Sequence, residues 1–332
     1  WAPFVFFIPN IKSIDSLWIP MAMINTWRIP ILFLISGIAF RYSFENRSPL
    51  QLIKERLKVL GIPLLFGSFT SGALVVYFAT LFWERKGEGE AYFGADSVHL
   101  WFLENIIIYS LIFVLMLRYI PLLRNKSAIL SKFLSKPGGI FLFSLPIIYE
   151  GHLVETGYWR EGNDYSLYVD TWHGFFLGAI WFLLGIILTS QGEDFWESNK
   201  INWKIHAVFA FSLYIYRFLN EFEGVDNRII AFESFNFIFL VLGLGATYLN
   251  KESSQLNYYK TAIFPVYIVH FPIQYGLMLY FGGWDINPWL KYLIFLFLIC
   301  FLSLTFYHAI KNVRILRPLF GLRNKPKKEI DG

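Results

Sequence analysis

Apolar runs, most of them near 20 residues long and each ended by a short polar stretch, recur nine times along the chain: near 21–42, 59–82, 99–121, 138–150, 170–190, 203–222, 229–249, 261–281 and 287–310. A helix needs about 20 such residues to cross the hydrocarbon of a bilayer, and only elements that satisfy their own backbone can cross it. The pattern predicts an all-α, polytopic transmembrane bundle of nine spans. The fourth run is short, contains Pro146 and ends on Glu150, so a broken or re-entrant segment is expected there. Neither repeats nor a long polar insertion interrupt the series. One membrane domain over 1–332 is expected, closing with a basic tail at 311–332.

Composition points the same way: 56% of the residues are hydrophobic and only 16% charged, too few charges to cover a soluble surface. The net charge of +5 does not call for nucleic acid, because Lys and Arg follow topology in membrane proteins. With the loop after the first run placed in the cytoplasm, most of the 29 basic residues fall on that side, and the C-terminus with them. An odd number of spans then leaves Trp1 outside. The chain opens WAPFVFFIPN with no initiator Met, so an upstream helix is expected, making ten spans with both ends inside. A single Cys300 excludes an intramolecular disulfide.

Polar residues inside apolar runs carry the chemical interest, since each must find a partner or a cavity. His270 lies near the middle of its run between Pro265 and Pro272, which lack the N–H that a helix would use. Glu104 sits more than a turn inside its run, and Arg28 lies at comparable depth from the outer face. Arg217 and Glu221 have the i, i+4 spacing of a helical ion pair. At the outer ends stand His99, Trp101, Trp172 and His173. Imidazoles and aromatic faces suit a sugar site, and an interfacial aromatic belt is the other reading. Arg56 and Lys58 mark the cytoplasmic mouth of the second run. Paired His or Cys at metal-ligand spacing do not occur, nor does a glycine-rich phosphate loop, and no metal is expected.

Four of these stretches together resemble the acyltransferase 3 family of membrane acyltransferases, in particular its glucan-modifying branch. PVYIVHFPI (265–273) resembles the late-helix motif, WRIPILFLISG (27–37) the early R-x-P-x-F-F-x-I-S-G helix, HLWFL (99–103) the entry to a middle helix, and RLKVLGIP (56–63) the basic cytoplasmic motif. Three positions depart from the pattern: Val59 stands where the basic motif usually has its second arginine, Leu32 where the early motif has its first phenylalanine, and Phe271 follows the late histidine where glutamine is common in this branch. The resemblance also implies a principal histidine on a first helix, which is expected upstream of Trp1.

The resemblance implies an integral membrane O-acyltransferase that moves an acetyl or succinyl group from cytoplasmic acyl-CoA to a glucan or other carbohydrate outside a bacterial inner membrane. No permanently bound cofactor is implied, and the partners are acyl-CoA, the carbohydrate acceptor and membrane lipids. His270 is the expected centre, as base, as donor to the developing oxyanion, or as an orienting group for an upstream histidine. Glu104 and Arg28 are expected beside it. Arg56 and Lys58 would bind the donor phosphates, and His99, Trp101, Trp172 and His173 the acceptor. The alternative is a secondary transporter or exporter using His270, Glu104 and Arg28 as a relay.

Overall fold

The computed structural model describes Ile8, residues 14–160, Gly162 and residues 164–323. Trp1 and residues 324–332 of the expected basic tail lie outside the described residues. In chain order the main helices are α1 (Trp18–Asn25), α2 (Arg28–Glu45), α3 (Pro49–Arg56), α4 (Ile62–Gly67), α5 (Ala73–Glu84), α6 (Trp101–Tyr119), α7 (Ala128–Leu134), α8 (Leu145–Glu155), α9 (Trp172–Thr189), α10 (Glu193–Leu219), α11 (Asn227–Leu244), α12 (Ser254–Phe281), α13 (Pro288–Ile310) and α14 (Leu316–Leu319). Single π-helical turns at Leu57–Gly61 and Ser68–Gly72 join α3, α4 and α5 into one run, and a third, Gly245–Leu249, ends α11. The described residues contain no strand. The chain is an all-α, multi-pass membrane protein.

Seven helical runs among the described residues are long and apolar enough to cross a bilayer: Asp15–Glu45, Pro49–Glu84, Val98–Leu117, Trp172–Thr189, Asn227–Leu249, Ser254–Phe281 and Pro288–Ile310. The expected fourth span is one arm of a bent pair, Ala128–Leu134 and Gly139–Glu155, which meet at 114° and make eight spans if counted as one. The expected span at 203–222 needs correction. It belongs to α10, which is long enough at 27 residues but opens with Glu193, Asp194, Glu197, Lys200 and Lys204 and buries Asn199, Asn202 and His206. Nine apolar runs thus yield seven or eight qualifying spans.

The helices form two compact units, one of Trp1–Asp15, Lys54–Ile107 and Glu252–Gly332, the other of Ser16–Ile53 and Ile108–Lys251. In the second, α2 and α9 pack so closely that a Cβ on Gly37 would lie 2.1 Å from the Phe182 carbonyl oxygen, and one on Gly185 2.3 Å from that of Leu34. Small residues are what let helix backbones approach in the absence of a hydrophobic drive between them. α10 packs along α11, which also meets α8. In the first unit α12 packs against α5 and α13. α13 turns Leu293, Phe297 and Phe301 outward, as a lipid-facing helix does.

Buried charges in the second unit are paired. Arg217 does not bond to Glu221, the neighbour that helical spacing suggested; α10 ends at Leu219, and Glu221 follows in a left-handed turn with φ 55°. Its guanidinium instead binds Glu233 of α11 through two hydrogen bonds of 2.8 and 2.9 Å and donates a third, of 2.7 Å, to the Ala22 carbonyl of α1. Arg41 of α2 is also buried, donating to Ser190, Glu45 and the Arg124 carbonyl. Removing one member of such a pair strands a charge. Glu233→Leu should therefore destabilise the protein by about 3–5 kcal/mol, whereas Arg217→Met/Glu233→Leu together should recover most of that loss. Thermal unfolding in one detergent, compared across the single and double variants, checks this; a double variant as unstable as the single would contradict it.

Candidate functional site

The proline at 272 determines what happens around the middle of α12. Residue 272 of a regular helix would donate to the carbonyl of residue 268, and proline has no hydrogen to give. The Ile268 oxygen is instead held by the Ser71 hydroxyl, at 2.5 Å, and by Nε2 of His99, at 3.2 Å. Both partners come from outside the helix: Ser71 from the π-helical turn before α5, His99 from the short 3-10 turn that opens α6. A second link runs the other way, from the Tyr267 hydroxyl to the His99 carbonyl.

His99 is presented by a segment folded tightly onto that π-helical turn. The amide of Asp96 donates to the Ser68 carbonyl, and the Asp96 carbonyl lies where a Cβ at Gly72 would approach to 1.8 Å, so only glycine fits at 72. Val98 then takes a left-handed backbone with φ 40°, costly for a β-branched residue, and its amide is held by the Asp96 carboxylate at 2.8 Å. The outlier aims the next residue, His99, into the bundle. Its ring stacks on Phe271 at 4.8 Å and stands edge-on to His270 at 5.5 Å between centroids.

His270 is half-buried, and Nδ1 faces two carbonyls of its own helix, those of Tyr267 at 2.8 Å and Val266 at 3.2 Å. A carbonyl only accepts, so Nδ1 carries the hydrogen and the lone pair of the neutral ring resides on Nε2. For His99 the assignment is the reverse: Nε2 donates to Ile268, and the lone pair lies on Nδ1, which is buried and without a hydrogen-bond partner. Two imidazoles, each with one nitrogen fixed by backbone and one lone pair left, therefore stand side by side. That is the equipment of a proton-accepting centre.

The other expected residues fall as follows. Glu104 is a half-buried member of the same unit and makes no ion pair among the described residues. Arg56 ends α3, and Lys58 lies exposed in the π-helical turn that follows. Trp101 is buried at the start of α6. Arg28, Trp172 and His173 belong to the second unit. Arg28 is exposed at the first turn of α2, and Trp172 is exposed beside Phe175 and Phe176.

His173 is interior. Its Nε2 faces the Tyr165 carbonyl at 2.9 Å and its Nδ1 the Glu150 carboxyl at 2.6 Å, which also accepts from the Trp159 indole. With the carbonyl fixing a hydrogen on Nε2, one further proton must sit between His173 and Glu150. Both ring nitrogens are thus taken up by the protein. Among the described residues no group of three or more His, Cys, Asp or Glu stands close enough to hold a metal ion.

Ser71 and Tyr267 were not singled out by the sequence. The signal available for Ser71 is indirect, a hydroxyl in an apolar run that some freed carbonyl would need; Tyr267 lies inside the quoted motif, but nothing in the sequence marks its hydroxyl as the partner of the His99 carbonyl.

The model of the acyltransferase domain family, acyltransferase 3, matches residues 3–308. Curated relatives include the glucans biosynthesis protein C of Escherichia coli strain SMS-3-5, 25% identical over 358 residues that cover 95% of this chain and 87% of that protein. The protein of the same name from strain K12 is 25% identical over 359 residues, covering 96% and 88%. No solved structure matches.

The tautomers are directly observable. In the neutral state, 15N spectra of histidine-labelled protein should show His270 hydrogenated at Nδ1 and His99 at Nε2, with assignments made by single His→Gln variants. His270 hydrogenated at Nε2 would remove the free lone pair on which the site's chemistry depends.

Proposed function

The chain belongs to the acyltransferase 3 family and is an acyltransferase, and from that premise we propose that it carries an acyl group from a cytoplasmic acyl-CoA to a hydroxyl of a glucan or other carbohydrate on the far side of a bacterial inner membrane. The name of the relatives supports a glucan acceptor. The observation that carries the chemistry is the His270 ring, whose Nδ1 is tied to the Tyr267 and Val266 carbonyls while Nε2 keeps its lone pair.

In this reading Nε2 of His270 takes the proton of the acceptor hydroxyl as the oxygen attacks the thioester carbonyl. The tetrahedral intermediate then expels the thiolate of coenzyme A. The imidazolium returns its proton to that sulfur, leaving the ester, the free thiol and a neutral histidine. Nδ1–H, bonded to backbone throughout, keeps the ring from turning and stabilises the positive charge it briefly holds. Glu104 is suited to accept hydrogen bonds from sugar hydroxyls. Arg56 with Lys58 meets the donor phosphates through charge-assisted hydrogen bonds. Exposed Trp172 offers a face on which a sugar ring can stack.

His270→Ala should lower acylation of the carbohydrate by about a hundredfold or more while expression and membrane insertion persist. Purified variant protein, acyl-CoA and acceptor, with the esterified product counted by mass spectrometry, give the rate. A near wild-type rate would make His270 a packing residue and remove the centre of this reading.

A further inference from the structure

Beyond α13 the chain is folded, not trailing, up to Arg323. Arg317 closes this segment: its guanidinium donates to the Lys311 carbonyl at 2.7 Å and to the Arg323 carbonyl at 3.0 Å, while the Leu322 amide returns to the Arg317 carbonyl at 2.8 Å. Phe320 plugs the loop into the first unit, buried with its ring edge-on to Phe66 of α4 at 5.3 Å and to Phe306 of α13 at 5.5 Å. Gly321 follows at φ 69°, where a Cβ would meet the Phe264 ring at 2.2 Å, so the turn that redirects the chain needs glycine. Its product is the position of Arg323, whose guanidinium donates to Glu55 at 2.8 Å.

Glu55 sits between Lys54 and Arg56, three residues before Lys58. An exposed ion pair such as Arg323 to Glu55 contributes little to stability, so its main consequence is placement. One edge of the Arg323 fork is occupied, and the side chain remains 75% exposed. The carboxylate also offsets repulsion among the cations it stands between, letting them gather before any anion arrives.

We propose that residues 311–323 form a strap that delivers Arg323 to the basic motif at 54–58, so that two segments far apart in sequence make a single phosphate-binding site for the coenzyme A moiety of the donor. The proposal rests on the donor reading of Arg56 and Lys58 given above. Val59 stands where the family's basic motif usually has its second arginine, and the strap supplies a guanidinium beside that motif from elsewhere in the chain. A planar fork with several donors suits a terminal phosphate or a diphosphate better than another lysine would.

The test uses the full chain in phosphatidylcholine nanodiscs, titrated with coenzyme A at several salt concentrations. Arg323→Gln should weaken binding by about tenfold and flatten its salt dependence, with little change in thermal stability. Phe320→Ala, which unplugs the strap while keeping Arg323, should weaken binding to a similar degree, and the double variant no further. Phe320→Leu should stay close to wild type. If Arg56→Gln/Lys58→Gln weakens binding and Arg323→Gln does not, the strap is structural only and the proposal is overturned while the donor reading stands. If none of these variants changes affinity, the donor reading falls as well. A phosphate-bearing lipid is the competing ligand. Native mass spectrometry of protein taken from phosphatidylglycerol-containing membranes should show equal lipid retention by wild type and Arg323→Gln, and selective loss by the variant with unchanged coenzyme A binding would overturn the proposal in favour of a headgroup site.

Discussion

A backbone carbonyl that loses its helical partner inside a bilayer has no water to turn to, and this requirement organises the protein at two places. Pro272 frees Ile268, and Ser71 with His99 answer; Pro30 cannot donate back to Thr26, and the Thr26 carbonyl is taken by the Tyr168 hydroxyl at 2.6 Å. The second case lies at the break between α1 and α2, where Arg217 also caps the Ala22 carbonyl. In α12 a proline thus converts an internal helix bond into a tertiary one, while at the α1–α2 break, where a first helical turn leaves backbone groups open in any case, a tyrosine hydroxyl and a guanidinium close the carbonyls. The helices gain a specific lateral partner where lipid-facing packing alone would supply none.

The same requirement explains why polar side chains in the spans come in sets. Arg217 is buried because Glu233 and a carbonyl satisfy three of its hydrogens, and Arg41 because Ser190, Glu45 and Arg124 do the same. His173 and Glu150 share a proton between them, with the Trp159 indole and the Tyr165 carbonyl completing the set. Against that background Glu104 stands apart. A half-buried carboxylate in an apolar helix, with no ion pair among the described residues, is what a site built for an incoming polar molecule would keep.

Helix identity was legible because hydropathy over 20 residues is a cumulative signal, and α2, α9, α12 and α13 follow the apolar runs closely. α10 misled because its polar residues, Asn199, Asn202 and His206, face other helices, while its exposed positions include Ile201, Val208 and Phe211; apolarity there reports the outer surface, not the core. The ion pair of Arg217 was missed because spacing along one helix says nothing about α11. His270 could be singled out since prolines on both sides announce freed carbonyls. Which groups would capture them depends on the π-helical turn at 68–72 and the left-handed Val98, conformations that no local pattern announced.

The orientation of both histidines follows from this backbone geometry more than from any contact between side chains. A ring that faced two hydroxyls could exchange tautomers freely, because a hydroxyl donates or accepts as needed. Carbonyls do not have that freedom. By turning Nδ1 of His270 onto Val266 and Tyr267, and Nε2 of His99 onto Ile268, α12 assigns one hydrogen and one lone pair to each ring before any substrate enters. Pro272 is therefore a chemical determinant as well as a structural one. With an N–H at that position the Ile268 oxygen would have an intrahelical donor competing with Ser71 and His99 for its two lone pairs, weakening the bond that fixes the His99 tautomer beside His270.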